Sequence, residues 1–385
     1  MNTGKKVHSY WGKCTLFMAI ALTFLGSCTD PVTPEFEFQE GLIFVEGFIS
    51  TSPGGSFVTV SKSAIEFEVY VVRFQGGATV SFENIVTGES VSLIEVEDAY
   101  TPPVDFKAKP GEEWKLIVNL PNGVRYESFP EKVLEPVAIR DIEVRYDKEL
   151  EFREIFGGKF VPGHEVFVSL DDPVDRTNYY YWTYRTYENL DFCERCYAGY
   201  YRDSECISFP SNVSGIPYYD YLCESDCWRI RFPESIAIYD DKFTNGLTVN
   251  DISIGNLLLY TRENMVVVVQ QLALTPEAHE YYKILKDLVD NNSGINAPPP
   301  AGLVGNVFNP DDDEDFVFGR FTAAASTEAF LFIDRSEITE EPLENRGVNL
   351  FEKTDDPVPP PITTIIECSE NRFRTPIPPP GWIDQ

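Results

Sequence analysis

Apolar and polar residues alternate over short stretches in the first third of the chain. These stretches lie roughly 8–12 residues apart and end in glycine- or proline-containing turns, a pattern typical of antiparallel strands. Trp114–Leu120 and Val124–Ser128 flank the turn Pro121-Asn122-Gly123, which predicts a hairpin. We expect an antiparallel β-sandwich over residues 41–135, of the Ig-like or carboxypeptidase-regulatory-like kind. Its other strands are expected at Leu42–Ile49, Phe57–Ser61, Ala78–Glu83 and Ser90–Glu95.

Apolar stretches also predict a second β-rich domain over residues 136–354. Tyr179–Tyr187 has aromatic residues on both faces of a strand, so one face is expected in the core and the other beneath a neighbouring insert. Met265–Ala273 contains four consecutive valines and has the pattern of a fully buried strand. The other expected strands are Val137–Tyr146, Glu165–Leu170, Trp228–Phe232, Ile236–Tyr239, Leu257–Thr261 and Phe330–Asp334.

One amphipathic helix is predicted over residues 275–292. Thr275 is a good N-cap, Pro276 suits the first helical position, and apolar residues recur every three to four positions. The helix is therefore expected to pack on a sheet. The proline-rich tail, residues 355–385, is predicted to be a surface strap.

The N-terminal 27 residues have the pattern of a lipoprotein signal peptide. Lysines precede an apolar run over Leu16–Leu25, and the small residues Gly26 and Ser27 precede Cys28. The alternatives are an ordinary secretory signal and an uncleaved anchor helix, but the run is shorter than the ~20 residues that span a bilayer. Cleavage would leave Cys28 as the lipid-modified first residue. Residues 28–40 would then form an extended tether.

The net charge excludes one class of partner. Removing residues 1–27 takes away three lysines and no acid, so 28 basic residues remain against 62 acidic ones and the net charge of −31 becomes −34. Nucleic-acid binding is not expected, because phosphates are bound by clustered Lys and Arg. Anionic lipid head groups repel the same surface, so attachment to the membrane is expected through the acylated Cys28.

Six cysteines remain once Cys14 leaves with the signal peptide and Cys28 carries lipid. An even number in an exported chain is typical of disulfides, and fifteen pairings are open. Five of the six lie in a polar insert, residues 191–227. Two of the spacings in the insert also suit a zinc site, but an oxidising compartment favours disulfides. The candidates are Cys193, Cys196, Cys206, Cys223, Cys227 and Cys368.

Catalytic motifs are missing from the sequence, and two histidines, His164 and His279, remain after the signal peptide. His279 lacks the second histidine of a zinc hydrolase motif, and His164 is expected at the surface. No enzymatic activity, cofactor or metal is therefore expected, and a hydrolase built on two carboxylates is the enzymatic alternative. Asp311, Asp313 and Asp315 are candidates for calcium, although their run lacks EF-hand spacing and favours a solvated acidic turn.

Tyrosines are dense in the insert and offer a contact surface for a ligand or partner. The tyrosine ring gives rigid, amphipathic contact area. Tyr179–Tyr187 is an alternative platform, although packing of both its faces is favoured. The candidate contact residues are Tyr197, Tyr200, Tyr201, Tyr218, Tyr219 and Tyr221.

Several motifs follow one another in a familiar order. They are the lipobox at Cys28, Val45-Glu46-Gly47, Lys109-Pro110-Gly111, Cys227-Trp228, Pro299–Phe308 leading to Phe318–Phe321, and Ile333-Asp334-Arg335. This order resembles the DUF4249 family of Bacteroidota outer-membrane lipoproteins and covers nearly the whole mature chain. The resemblance implies a two-part, mostly β lipoprotein, frequently encoded near TonB-dependent receptors, with no established catalytic residues.

Together these features predict a non-enzymatic lipoprotein of the outer membrane, on its cell-surface or its periplasmic face. The expected role is that of an accessory or substrate-binding subunit of a TonB-dependent nutrient uptake system, with the receptor as a partner. The alternative is a structural or adhesive envelope protein.

Overall fold

The computed structural model describes residues 40–67, 69–189, 194–197, 199–202, 205–209, 219–222, 227–290, 303–343, 370 and 372–383. The described chain is mainly strand, with one α-helix and a short 3₁₀ helix, Glu154–Phe156. The predicted fold class, mainly β with one packed helix, is confirmed. Within the described residues, no helix is long and apolar enough to cross a membrane. Cys28, the signal peptide and the tether up to residue 39 lie outside them.

The elements follow the chain in this order. The first ten strands are β1 (Ile43–Ser50), β2 (Phe57–Glu66), β3 (Val69–Phe74), β4 (Thr79–Asn84), β5 (Ser90–Ser92), β6 (Ile94–Val96), β7 (Ala99–Thr101), β8 (Glu113–Asn119), β9 (Arg125–Ser128) and β10 (Glu131–Lys132). Next come β11 (Ile139–Arg153), β12 (Lys159–Asp171), β13 (Tyr179–Asn189), β14 (Glu194–Tyr197), β15 (Gly199–Arg202), β16 (Glu205–Ser208), β17 (Tyr219–Leu222), β18 (Trp228–Arg231), β19 (Ala237–Asp240), β20 (Thr248–Leu258) and β21 (Met265–Leu274). The last are helix α1 (Pro276–Asp290), β22 (Val307–Phe308), β23 (Val317–Phe318), β24 (Phe321–Ile333) and β25 (Arg374–Thr375).

A twelve-stranded sheet, called the large sheet here, organises the described chain. Its main path is β25-β18-β13-β21-β24-β1-β2-β7-β6, and β19, β23 and β3 pair beside this path. β24 is antiparallel to β21 and parallel to β1. All four valines of β21, Val266–Val269, are buried, because both faces of the sheet are covered at this strand.

One end of the large sheet is covered by a six-stranded sheet, which forms the first core. The order of this sheet is β22-β9-β8-β4-β5, with β10 beside β8. Phe82, Trp114 and Leu116 from this sheet are buried with Val45 and Phe321 from the large sheet. β8 and β9 form the predicted hairpin, in which Asn119 lies opposite Arg125. Gly123 supplies the positive φ angle, +90°, that this turn requires.

A three-stranded sheet, β11-β12-β20, covers the other end of the same face and forms the second core. Val166, Val168 and Leu170 of β12 are buried in one cluster with aromatic residues of β13. β24 supplies both cores from one face, with Phe321 in the first and Ile333 in the second. Strands from both sides of the predicted boundary at residues 135–136 therefore belong to one hydrogen-bonded sheet.

Helix α1 covers the opposite face of the large sheet, and its predicted position is confirmed. The Thr275 hydroxyl accepts a hydrogen bond from the Ala278 amide over 3.2 Å, which caps the first turn. Tyr282 stacks on Tyr181 of β13 with ring centroids 4.9 Å apart. This face of β13 was expected beneath the insert, but near its start it packs against the helix instead.

The cysteine-rich insert contributes two small hairpin-like pairs, β14 with β17 and β15 with β16. A disulfide joins Cys196 to Cys206. Cys227 is buried and also disulfide-bonded. Disulfide bonding in the insert is therefore confirmed. Cys193, Cys223 and Cys368 lie outside the described residues.

His164 was expected at the surface, and this expectation is wrong. It is 4% exposed in the middle of β12, between Tyr146 of β11 and Leu257 of β20. The Pro162-Gly163 pair has the composition of a turn, yet the strand runs through it. Gly163 allows the close approach, because a Cβ atom there would lie 2.5 Å from the Leu257 carbonyl oxygen.

Candidate functional site

A cleft of about 1360 Å³ opens between the three-stranded sheet and the β13 side of the large sheet. β11, β12 and β20 line one wall, and β13, β18 and β19 line the other. The last turn of α1 and residues 373–374 complete the boundary. Pockets of roughly 300–1,000 Å³ accept drug-sized ligands, so this cleft has room for one.

Strand alternation decides which side chains of β13 and β18 enter the cleft. Tyr184, Thr186 and Glu188, the last three even-numbered residues of β13, line the cleft. Tyr187 packs on the opposite side with Trp228. β18 is antiparallel to β13, with Arg229 opposite Glu188. The same strand thus contributes aromatic residues to the core and charged residues to the cleft.

Glu188 is 1% exposed and is shared by two arginines, and we call these three residues the Glu188 triad. Arg231 Nε donates to one carboxylate oxygen over 2.8 Å, and Arg335 Nη1 lies 3.4 Å from the other. Arg335 also donates to the Thr261 carbonyl oxygen over 3.1 Å. Burial lowers the pKa of Arg335, and the Glu188 carboxylate opposes this effect. Two guanidinium groups face one carboxylate, so the triad retains one net positive charge.

Three more acids of the cleft, Glu151 and Glu165 on the opposite wall and Glu234 between β18 and β19, contact neighbouring side chains. Arg153 approaches Glu151 over 2.6 Å and Glu234 over 2.8 Å. Glu165 accepts a hydrogen bond from the Ser253 hydroxyl over 2.5 Å. Arg153 offsets one of the two carboxylates that it contacts, and the serine hydroxyl leaves the charge of Glu165 in place, so these acids retain net negative charge. None of the three forms an ion pair with an arginine of β18 within the described residues.

Two arginines of β18 retain donor capacity that faces the cleft. Arg231 Nη2 is buried and has no hydrogen-bond acceptor within the described residues. The backbone of Arg229 pairs with β13 and β25, but its side chain makes no ion pair or hydrogen bond with the described part of the chain. Burial lowers the pKa of Arg229, and the nearby charge of Arg231 lowers it further. The arginine side of the cleft is therefore a region of positive charge in an acidic protein.

A pair of carboxyl groups lies outside this cleft, beside a smaller pocket of about 260 Å³. Asp241 accepts a hydrogen bond from the Asn178 backbone amide over 2.7 Å. Burial raises the pKa of Asp241, the Asn178 amide lowers it, and the nearby Asp172 charge raises it further. Asp172 accepts from the Tyr180 hydroxyl over 2.5 Å and from the Gly246 amide over 3.0 Å. These contacts hold the turn after β19 against the start of β13. The pair thus has a structural task that needs no substrate.

The structure places the three candidate calcium ligands in an acidic turn. Asp315 accepts hydrogen bonds from the Tyr126 hydroxyl over 3.0 Å and from the Asn309 side-chain amide over 2.8 Å. The Asp311 amide donates to the Asn309 side chain, and Asp313 is exposed. Across the described residues, no group of three or more His, Cys, Asp or Glu is arranged to hold a metal ion.

The insert tyrosines are distributed over its two strand pairs. Tyr200 is 37% exposed, with its ring centroid 5.7 Å from that of Phe209. The Tyr201 backbone amide donates a hydrogen bond to the Asp220 carboxylate over 2.8 Å. Tyr197 lies on β14 and pairs with Tyr219 on β17, and Tyr221 follows on the same strand. Tyr218 lies outside the described residues.

Two of the stretches that carry the family resemblance, around Asn306 and around Arg320, meet at one point, which we call the strand junction. Asn306 bonds both the amide and the carbonyl of Phe321, over 2.8 and 2.9 Å. Glu131 pairs with Arg320, and Glu131 also accepts from Asn306 and from Thr275 at the helix cap. The motifs around residues 305 and 319 therefore position β24 and α1, and they do not form the cleft. The motif residue Arg335, in contrast, belongs to the Glu188 triad.

The fold and the cleft define a class: a mainly β protein in which two smaller sheets and a helix cover one large sheet. The chain belongs to the family described as a domain of unknown function, DUF4249, whose model matches residues 29–329. The resemblance inferred from the motifs is confirmed at the level of the family. No curated protein and no solved structure matches the chain.

Proposed function

We propose that this protein is a lipid-anchored ligand-binding protein of the outer membrane in Bacteroidota, without enzymatic activity. The observation that supports the proposal is the cleft of about 1360 Å³, which combines aromatic, polar and charged side chains from two sheets. Such mixed linings bind small molecules and fix their orientation. The protein acts as an accessory or substrate-binding subunit of a TonB-dependent uptake system.

The binding role is tested by blocking the cleft. Thermal unfolding of the wild type is measured against a panel of oligosaccharides, peptides and organic acids. We expect at least one compound to raise the Tm, and Ser253→Trp, which places an indole in the cleft, to abolish the rise. Ser90→Trp, on the exposed β5 strand outside the cleft, is the matched control and keeps the response. A panel without effect, or an equal response in both variants, contradicts the proposal and favours the structural or adhesive role.

The lipid anchor rests on the sequence pattern around Cys28. We expect the wild type to sediment with membranes and its N-terminal peptide to carry acyl mass. Cys28→Ser removes the acceptor, so the protein should appear in the soluble fraction. Equal sedimentation of the two forms would show that another feature holds the protein at the membrane.

The receptor partnership rests on the family resemblance and on the predicted location. Mild detergent extraction followed by affinity purification tests it, and we expect a TonB-dependent barrel to co-purify with the wild type. The Cys28→Ser variant should recover less of the barrel because it is no longer concentrated at the membrane. Recovery of the wild type without any barrel contradicts this part of the proposal.

A further inference from the structure

The wall of the cleft formed by β18 and β25 has an unusual arrangement of charge. Arg229 of β18 lies directly opposite Arg374 of β25, and Glu188 of β13 lies opposite Arg229 on its other side. Like charges directly opposite each other destabilise a sheet. Arg231 lies two residues further on the same face of β18 and also lines the cleft. We call Arg229, Arg231 and Arg374 the arginine wall.

Compensation of Arg229 and Arg231 by protein carboxylates is incomplete within the described residues. Glu188 lies opposite Arg229, and both of its oxygens are already used by Arg231 and Arg335. Arg229 has no ion pair there, and Arg231 Nη2 is buried without an acceptor. A buried donor without an acceptor costs free energy until one arrives. Since both arginines are also positively charged, this part of the cleft favours an acceptor with negative charge.

From this geometry we infer that the arginine wall binds an anionic oxygen group of the ligand, a carboxylate or a phosphate. The inference rests on the proposed binding function of the cleft and specifies the chemistry of its ligand. The planar guanidinium fork matches such groups and can hold two of their oxygens at once. Phe232 and Phe373 line the cleft beside the wall, so an apolar part of the ligand has rings to pack on.

The position of the wall also provides selectivity. The chain has a net charge of −31, and a negative surface repels anions in general. An anion is attracted only where positive charge is concentrated and water is partly excluded. Binding should therefore weaken as salt screens the arginines.

The experiment uses the full-length, detergent-solubilised protein and calorimetry with three probes: citrate, inorganic phosphate and neutral maltose. We expect citrate, phosphate or both to bind to the wild type. Any binding of maltose should change little when the arginine wall is altered. Arg229→Gln should weaken anion binding about tenfold or more, the size expected for a charge-assisted hydrogen-bonded pair. Arg229→Lys keeps the positive charge but lacks the planar guanidinium group. Its affinity for the anions should lie between that of the wild type and that of Arg229→Gln. Arg140→Gln, an exposed arginine outside the cleft, is the matched control and should bind as the wild type does.

The outcomes separate the two proposals. If neither anion binds, or if Arg229→Gln and wild type bind anions equally, the anion inference is wrong. If a neutral compound binds, is blocked by Ser253→Trp and is unaffected by Arg229→Gln, the binding function stands and the anion inference falls. If Ser253→Trp and Ser90→Trp bind every probe as the wild type does, the cleft itself is not the site. Circular dichroism and the Tm of each variant confirm that it is folded.

Discussion

Glu131 shows how one carboxylate can link distant parts of this chain. It is 6% exposed and contacts Arg320, Asn306 and Thr275. Burial raises its pKa, while the Arg320 charge and the hydrogen bonds lower it. A group with this many partners fixes the geometry between the end of the first predicted domain, the helix cap and β24.

We expect Glu131→Gln to destabilise the fold by about 3–5 kcal/mol, because it leaves the buried Arg320 without a counter-charge. Urea unfolding at pH 7 measures the effect. Glu143→Gln is the matched control: Glu143 also pairs with an arginine, Arg145, but it is exposed to solvent, so its loss should change the stability little. Equal effects of the two substitutions would show that Arg320 finds another partner.

The buried His164 predicts a pH dependence of stability. Burial is the main cause that lowers its pKa to about 4, and the Arg335 charge adds to the effect. Its folded pKa lies below the unfolded value near 6.5, so the unfolded chain binds the proton first. Stability from this group is complete above about pH 6.5 and is lost as the pH falls toward 4, by up to about 3 kcal/mol.

Replacing the imidazole by a ring that does not titrate tests this window. His164→Phe should unfold with a smaller loss of stability between pH 6.5 and pH 4 than the wild type shows. Denaturant midpoints at several pH values supply the comparison, since other titrating groups contribute equally to both proteins. Parallel pH curves for the two proteins would contradict the assignment.

At the scale of elements, a close backbone contact holds β24 beside β1. Gly319 has a φ of +101°, and a Cβ atom at this position would lie 2.1 Å from the Val45 carbonyl oxygen. The Gly47 amide donates to the Arg320 carbonyl at the next step of the pairing, over 2.9 Å. Glycine is thus required both by its conformation and by the space available.

We expect Gly319→Ala to destabilise the protein by more than about 3 kcal/mol, because neither backbone can move without breaking the sheet. Gly54→Ala is the matched control: φ is +71° there, but no atom lies within 4 Å of the added Cβ. Gly54→Ala should therefore lower the stability only by the cost of a positive φ angle for alanine, about 1 kcal/mol. Thermal unfolding of both variants decides, and a similar Tm for the two would mean that the Val45 contact relaxes easily.

The local sequence pattern predicts the β8–β9 hairpin and helix α1 correctly, but it does not predict the bounds of β20 or the cleft. The hairpin through Asn122-Gly123 and the helix after Thr275 carry turn and cap residues that act locally. β20 was expected at Leu257–Thr261 but spans Thr248–Leu258, because pairing with β12 overrides polar residues such as Asn250. The cleft depends on contacts between residues far apart, such as Glu188 and Arg335, which are separated by 147 positions. A charged residue at an alternate strand position looks like a solvent-facing one until the second sheet is placed over it.

At the scale of the whole molecule, β24 couples the stability of the two cores, because it contributes residues to both. Phe321, Ala323 and Ala325 lie in the first core, and Ile333 lies in the second. The pairing of β24 with β21 runs without interruption from Ala325 to Ile333. Disrupting one core therefore removes pairing and burial from the other.

We expect the protein to unfold in one cooperative transition, although its sequence suggests two domains. Calorimetry should give equal calorimetric and van't Hoff enthalpies, and fluorescence and circular dichroism should give the same midpoint. Gly319→Ala should lower this common midpoint without splitting it. Two resolved transitions would show that the cores behave as separate domains.

The sharing of Glu188 by Arg231 and Arg335 has a consequence for how related sequences diverge. Loss of one arginine leaves Glu188 in an ion pair with the other arginine. Loss of the acid leaves two buried guanidinium groups that repel each other. Changes at position 188 should therefore occur together with changes at 231, at 335 or at both. Across relatives, the three positions are expected to covary, and an acid lost at 188 should be accompanied by a neutral residue in place of at least one arginine.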